Sequence, residues 1–146
     1  MEKVEALRSS SLLGALEEDQ LASLAGIAKE RSLQAGDTLI RAGDTGALAM
    51  YVILEGSMEV SKDGNRLSVL GPGQHIGEMA LLAPDNVPRS ADVVATQPTR
   101  VLQLASWDLF PFLDTNPAMA RAIITELARR LIQADERLSA ALSKEA

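Results

Sequence analysis

The sequence predicts a mainly β protein with flanking helices, a sandwich or barrel in class. Between Leu33 and Leu104, short β-rich runs recur at roughly 8–12-residue spacing, each bounded by glycine-containing turns. Ahead of Ser32 and again after Ser106, apolar residues recur instead at helical spacing. The chain has 146 residues and is expected to form one domain: helical over 1–31, β over 32–105, helical again over 106–146.

Val4 to Arg31 reads as short helices. Leu13, Leu16, Leu21, Leu24 and Ile27 follow helical spacing, and Glu17, Glu18 and Asp19 suit the positive end of a helix over about residues 18–30. Gly14 and the run Ser9-Ser10-Ser11 predict a break just before it. From Leu33 onward, Gly36-Asp37, Gly43-Asp44, Gly46, Gly56, Asp63-Gly64, Gly71-Pro72-Gly73 and Gly77 mark turns. Strands are expected at Leu39-Ile40, Met50–Leu54, Met58–Val60, Leu67–Leu70, Ala91–Ala95 and Arg100–Leu104. Asp63-Gly64 predicts a hairpin. Ser106 is placed as the cap of a short helix carrying Leu109, Phe110, Phe112 and Leu113. Pro117 then opens a last helix to about Leu142, free of internal Gly or Pro.

Composition excludes several functions. The chain has no cysteine and one histidine, His75, so thiolate metal clusters and sites needing two imidazoles are ruled out, and no metal is expected. Cupin-type enzymes, which need such histidines, fall with them. The apolar run Ala47–Leu54 is far short of the ~20 residues that span a bilayer, and the opening Met-Glu-Lys-Val-Glu lacks the basic-then-apolar order expected of a signal peptide. A net charge of −6 argues against a nucleic-acid surface. The expectation is a cytoplasmic protein without membrane contact.

One stretch carries chemistry: Gly77-Glu78-Met79-Ala80-Leu81-Leu82, then Pro88-Arg89-Ser90-Ala91. A glycine-led helical turn presents N–H groups to an anion, and Arg89 can bind phosphate oxygens in bidentate fashion. Ser90 adds a hydroxyl, and Glu78 is an acceptor suited to a sugar hydroxyl. Taken alone, these residues also fit a glycine turn beside a surface Arg–Glu pair.

The order of residues resembles the phosphate-binding cassette of the cyclic nucleotide-binding domain family, including the Crp/Fnr-like effector domains. Gly36-Asp37, Gly43-Asp44, Met50–Ile53 with Gly56, and Gly71-Pro72-Gly73 sit where that family places its turns and strands. The resemblance implies an eight-stranded β-roll (jelly roll) with an N-terminal helix and two C-terminal helices, and no catalytic residue. It implies that Arg89 pairs with a cyclic phosphate and Glu78 accepts from the ribose 2′-hydroxyl. Gly77, Met79 and Ala80 would lie along the ribose-phosphate, beside Ser90. Thr after the arginine often accompanies cGMP preference in the family, so Ser90 leans toward cAMP. Two features depart from the pattern: Ile76 replaces the usual aromatic, and the loop Ala83–Pro88 is slightly longer.

Ile124, Leu127, Leu131, Ala134, Leu138 and Ala141 follow the 3-4 spacing of a coiled-coil seam, with Arg130 at a g and Asp135 at an e position. Either the barrel or a second copy can cover that stripe, and the family resemblance implies a homodimer through the 117–142 helix. The Thr-Ser pair that contacts adenine in Crp-like relatives aligns with Ala134-Asp135 here. Arg130 or Arg137 would then cap the base. His75 reads as a structural turn residue and Trp107 as a packing residue, while Arg129-Arg130 make no basic patch. The function this implies is a cyclic nucleotide sensor that reports through its last helix. The alternatives are the effector half of a Crp/Fnr-type regulator, a regulatory domain of a larger channel, kinase or transporter, and a non-binding interaction module. The chain ends at Ala146 with no helix-turn-helix, so direct DNA binding is not expected.

Overall fold

The computed structural model describes residues 2–10, 12–45, 48–82 and 88–145. The turn expected at Gly46, the first residue of the run Ala47–Leu54, Ser11, and positions 83–87 of the cassette loop lie outside the described residues. Two helices, α1 (Glu2–Arg8) and α2 (Glu18–Ile27), precede eight strands. These are β1 (Lys29–Leu33), β2 (Thr38–Ile40), β3 (Ala49–Glu55), β4 (Met58–Lys62), β5 (Asn65–Leu70), β6 (His75–Ile76), β7 (Asp92–Ala95) and β8 (Thr99–Ala105). Helices α3 (Ser106–Asp114) and α4 (Pro117–Glu145) follow. The strands form two four-stranded antiparallel sheets, ordered β1-β8-β3-β6 and β2-β7-β4-β5. This is the eight-stranded β-roll.

Alternation along β3 and β8 divides the interior in two. Ala49, Tyr51 and Ile53 face into the roll with Val101 and Ala105, against Ile40, Met58 and Val93 of the second sheet. Met50, Val52, Leu102 and Leu104 point the other way, into a core with Leu7, Leu21, Leu24, Leu109, Met119 and Ile123 from the helices. A strand buried on both faces reads as a continuous apolar run, which is what residues 48–54 are. Each fully buried Leu or Ile there contributes about 1.5–3 kcal/mol.

Local chemistry sets the ends. Asp63 and Gly64 both take positive φ, 52° and 80°, as a type I′ hairpin requires between paired Lys62 and Asn65. Three assignments differ from expectation. Helix α2 stops at Ile27, because Ala28 is extended and Lys29–Leu33 pair with β8; those residues are largely polar and exposed, so no apolar period marks the change. Ser106 does not cap α3: the cap position is Ala105, and Ser106 is the first helical residue, its backbone N–H donating to the Leu48 carbonyl at 2.9 Å. Trp107 is 54% exposed and therefore does not pack into the barrel end. Pro117 does open the last helix, which at 29 residues extends roughly 43 Å.

Glycine is required at Gly56, where φ is +103° and an added Cβ would stand 2.6 Å from the Pro98 carbonyl oxygen and against the Thr99 hydroxyl. Gly56→Ala is expected to destabilise the fold by about 1–3 kcal/mol or more. Gly26→Ala, in α2 with open space around it, should add about 0.5–1 kcal/mol. Urea denaturation of both variants checks the contrast.

Candidate functional site

Gly77, Glu78, Met79, Ala80, Arg89 and Ser90 all line one cleft of about 540 Å³, with His75 and Pro88 at its wall. A smaller apolar bay of about 160 Å³, walled by Ile40, Val60, Ile76, Ala91 and Val93, shares Gly77, Arg89 and Ser90 with it. The cassette residues, separated in sequence by up to 13 positions, are thus brought together.

Strand β6 creates the approach. Its two residues pair with β3, Tyr51 with Ile76 and Val52 with His75, and deliver the chain to Gly77. There φ is +77°, and an added Cβ would meet the Arg89 guanidinium at 2.7 Å and the Ala49 carbonyl at 2.8 Å. Any side chain at this position would occupy the space in which Arg89 lies. The next residues form the expected helical turn, with Leu81 N–H on the Gly77 carbonyl (3.2 Å) and Leu82 N–H on that of Met79 (3.2 Å). Leu81 anchors the turn by burying fully among the helix-side core residues.

Arg89 is held from β3: its guanidinium donates to the Ala49 carbonyl at 2.8 Å. Its backbone N–H donates to Asp44 O (2.8 Å), and its carbonyl accepts from Gly43 N–H (2.9 Å). Burial lowers the Arg89 pKa from its ordinary value, while Tyr51 and Asp44 act in the opposite sense; arginine stays charged throughout.

Glu78 is buried, with 7% of its surface exposed. Its Oε2 accepts from the Ser10 hydroxyl at 2.5 Å and the Leu12 N–H at 3.3 Å, and lies 3.5 Å from His75 Nε2. Arg130 of α4 stands 2.5 Å from Oε1. Burial raises the Glu78 pKa, but Ser10, Arg130, Leu12 and His75 together outweigh it, and the carboxyl titrates below its ordinary 4.5. His75 is therefore not a turn residue but a strand residue at the cleft wall, beside the buried carboxylate.

Of the residues considered for capping a base, Arg130 reaches the cassette, touching Glu78 and, at 3.9 Å, the Met79 sulfur. It does not line the cleft. Ala134, Asp135 and Arg137 lie on the exposed part of α4. Ser10 had no signal in the sequence, since it lies 68 residues from the carboxylate it bonds.

Such a cleft can hold an anion on its arginine side while offering a carboxylate acceptor on the other. The sequence profile "Cyclic nucleotide-binding domain" matches residues 30–116, and the chain belongs to that family. It is 39% identical over 87 residues to the cAMP-dependent protein kinase regulatory subunit of Yarrowia lipolytica, covering 60% of this chain and 22% of that protein. The N-terminal domain of a transcriptional regulator from Streptomyces coelicolor A3(2) superposes with TM-score 0.83 at 35% identity, over 90% of this chain and 95% of that one. The regulatory domain of Toxoplasma gondii PKA with cAMP superposes with TM-score 0.65 at 32% identity, over 73% and 41%. The chain spans about a fifth to a third of the length of the first curated relatives it matches. Among the described residues no helix is long and apolar enough to cross a membrane, and no cluster of three or more His, Cys, Asp or Glu could hold a metal.

The depressed Glu78 pKa has a signed consequence. The stabilisation from the ionised carboxylate is present above its ordinary value of 4.5 and is lost as pH falls through the lower folded-state value. The melting-temperature gap between the unmodified chain and Glu78→Gln should therefore be widest near neutrality. It should shrink below about pH 4.5 in a calorimetric pH series.

Proposed function

We propose that the chain is a non-enzymatic sensor of a cyclic nucleotide, cAMP ahead of cGMP, reporting occupancy through α4. The observation that carries this is the placement of Glu78 and Arg89 on one cleft. Arg89 binds the cyclic phosphate, and an incoming phosphodiester offsets part of the cost of burying its charge. Glu78 accepts from the ribose 2′-hydroxyl, with the backbone of Gly77, Met79 and Ala80 along the ribose-phosphate and Ser90 beside Arg89. The apolar bay behind Arg89 and Ser90 offers burial for one edge of the ligand. Preference for cAMP is supported by Ser90 and by the cAMP in the Toxoplasma gondii relative. The sensor acts as one unit over 1–146, in the cytoplasm, without contact to membrane or nucleic acid.

The route to α4 is packing and charge. Leu81 shares a core with Met119 and Ile123 of α4, and Glu78 with Arg130 forms an ion pair between cassette and helix. A ligand that orders the cassette shifts α4 only if its affinity differs between two helix positions. Beyond Arg130 every described side chain of α4 is exposed, with Leu131 65%, Leu138 59% and Leu142 58% accessible. That stripe supports a homodimer through residues 117–142. The Streptomyces coelicolor relative, part of a transcriptional regulator, supports a second reading: the effector half of such a regulator.

Arg89→Ala is expected to weaken cyclic nucleotide binding by about 2–5 kcal/mol, the scale for removing one partner of a buried charge contact. Calorimetry with cAMP and cGMP reads it, and unchanged affinity would rule out this role for Arg89. Light scattering of the unmodified chain should give a dimer mass, and Leu131→Glu with Leu138→Glu should give a monomer.

A further inference from the structure

Glu78 reaches the cleft with its carboxylate held by two segments remote from it in sequence. Ser10 is fully buried, and its hydroxyl is fixed from both sides: it accepts from the Leu13 N–H at 3.3 Å and donates to Glu78 Oε2 at 2.5 Å. The turn that carries Ser10 is closed by Gly14, whose N–H donates to the Ser10 carbonyl at 2.7 Å. Gly14 permits that closure, since an added Cβ would meet the Arg8 and Ser10 carbonyl oxygens at 2.8 and 2.9 Å. On the opposite carboxylate oxygen stands Arg130, itself oriented by Glu126 at 3.5 Å, a residue 7% exposed on the same helix. Arg130 thus grips Glu78 from α4, on the carboxylate oxygen opposite the one that Ser10 holds.

We infer that Ser10 and Arg130 are positioning residues for ribose recognition, holding Glu78 in the orientation at which it accepts the 2′-hydroxyl. This rests on the proposed binding of a cyclic nucleotide. A carboxylate free to rotate loses rotamer entropy when a hydroxyl binds it, whereas one held from both oxygens has lost that freedom on folding. Arg130 thus serves the ribose through Glu78 rather than capping the base. The N-terminal turn and α4 are tied to the same ligand hydroxyl, so displacement of either element weakens the hold on the ribose, and ligand strengthens both attachments in return.

Calorimetry on the full chain with 3′,5′-cAMP and its 2′-deoxy analogue separates this from a merely structural role, because the analogue cannot use Glu78. The unmodified chain should prefer cAMP by about tenfold to a hundredfold, as a hydrogen bond to a charged acceptor provides. Ser10→Ala and Arg130→Gln should each reduce that preference by about fivefold or more, while affinity for the 2′-deoxy analogue changes by less than about twofold. Arg130→Lys, which keeps the charge, should recover part of the preference. Retained binding of the analogue also reports that each variant is folded. A preference unchanged in both variants overturns the inference, as does a parallel loss for both nucleotides. A rise in cAMP affinity in Arg130→Gln overturns it too, since Arg130 would then compete with the ribose. Equal binding of the two nucleotides by the unmodified chain removes the ribose role of Glu78 and leaves the sensor reading standing; binding of neither removes both.

Discussion

Strand β3 serves two interiors at once, and the rest of the molecule is arranged around that requirement. Ala49, Tyr51 and Ile53 fill the roll, while Met50 and Val52 fill the core beneath the helices. A strand in that position has no solvent face to adjust, so its register is firmly specified. Its neighbours inherit the precision. Strand β8 pairs along most of its length, and β6 pairs at Tyr51 and Val52 before handing the chain to Gly77. The Ala49 carbonyl takes the Arg89 guanidinium, so both walls of the cleft are referred to one strand.

Two charges sit beside that strand, Glu78 buried and Arg89 half-buried, and their environments differ in kind. Arg89 is held by carbonyl dipoles, with Asp44 near enough to favour its charge. Glu78 is held by a hydroxyl, an amide and a second guanidinium. Removing either ion from water costs several kcal/mol before such contacts offset it. The net charge of −6 says nothing of this local field. An acidic chain can receive an anion because the groups around the cleft, not the whole surface, set the potential there.

The residues legible in advance were those whose chemistry is local. Asp63-Gly64 announces a tight hairpin because both positions need positive φ. Pro117 announces a helix start, and the cassette is readable through its resemblance to a family motif whose residues lie within one short stretch. Strand β1 was hidden because its residues are polar and its identity comes from pairing with Thr99–Gln103. Strand β6 has two residues, too few to show a period, and it turned His75 from an apparent turn residue into part of the cleft wall. The exposure of Trp107 is not legible in the sequence, because a large aromatic beside a barrel end carries no sign of which way it faces.

The linear order of residues was enough to establish the β-rich middle and the helical ends, and its resemblance to the cyclic nucleotide-binding domain family implied that Glu78 and Arg89 share one cassette. The first two depend on periodicity and turn propensity, which are properties of neighbours along the chain. Only the folded chain decided that Ser10 meets Glu78 across 68 residues and that Arg130 grips the other oxygen from α4. Those contacts follow from where the helices settle on the apolar back of β3 and β8. That packing is a sum over many weak and distant contacts, and no short stretch of sequence encodes it.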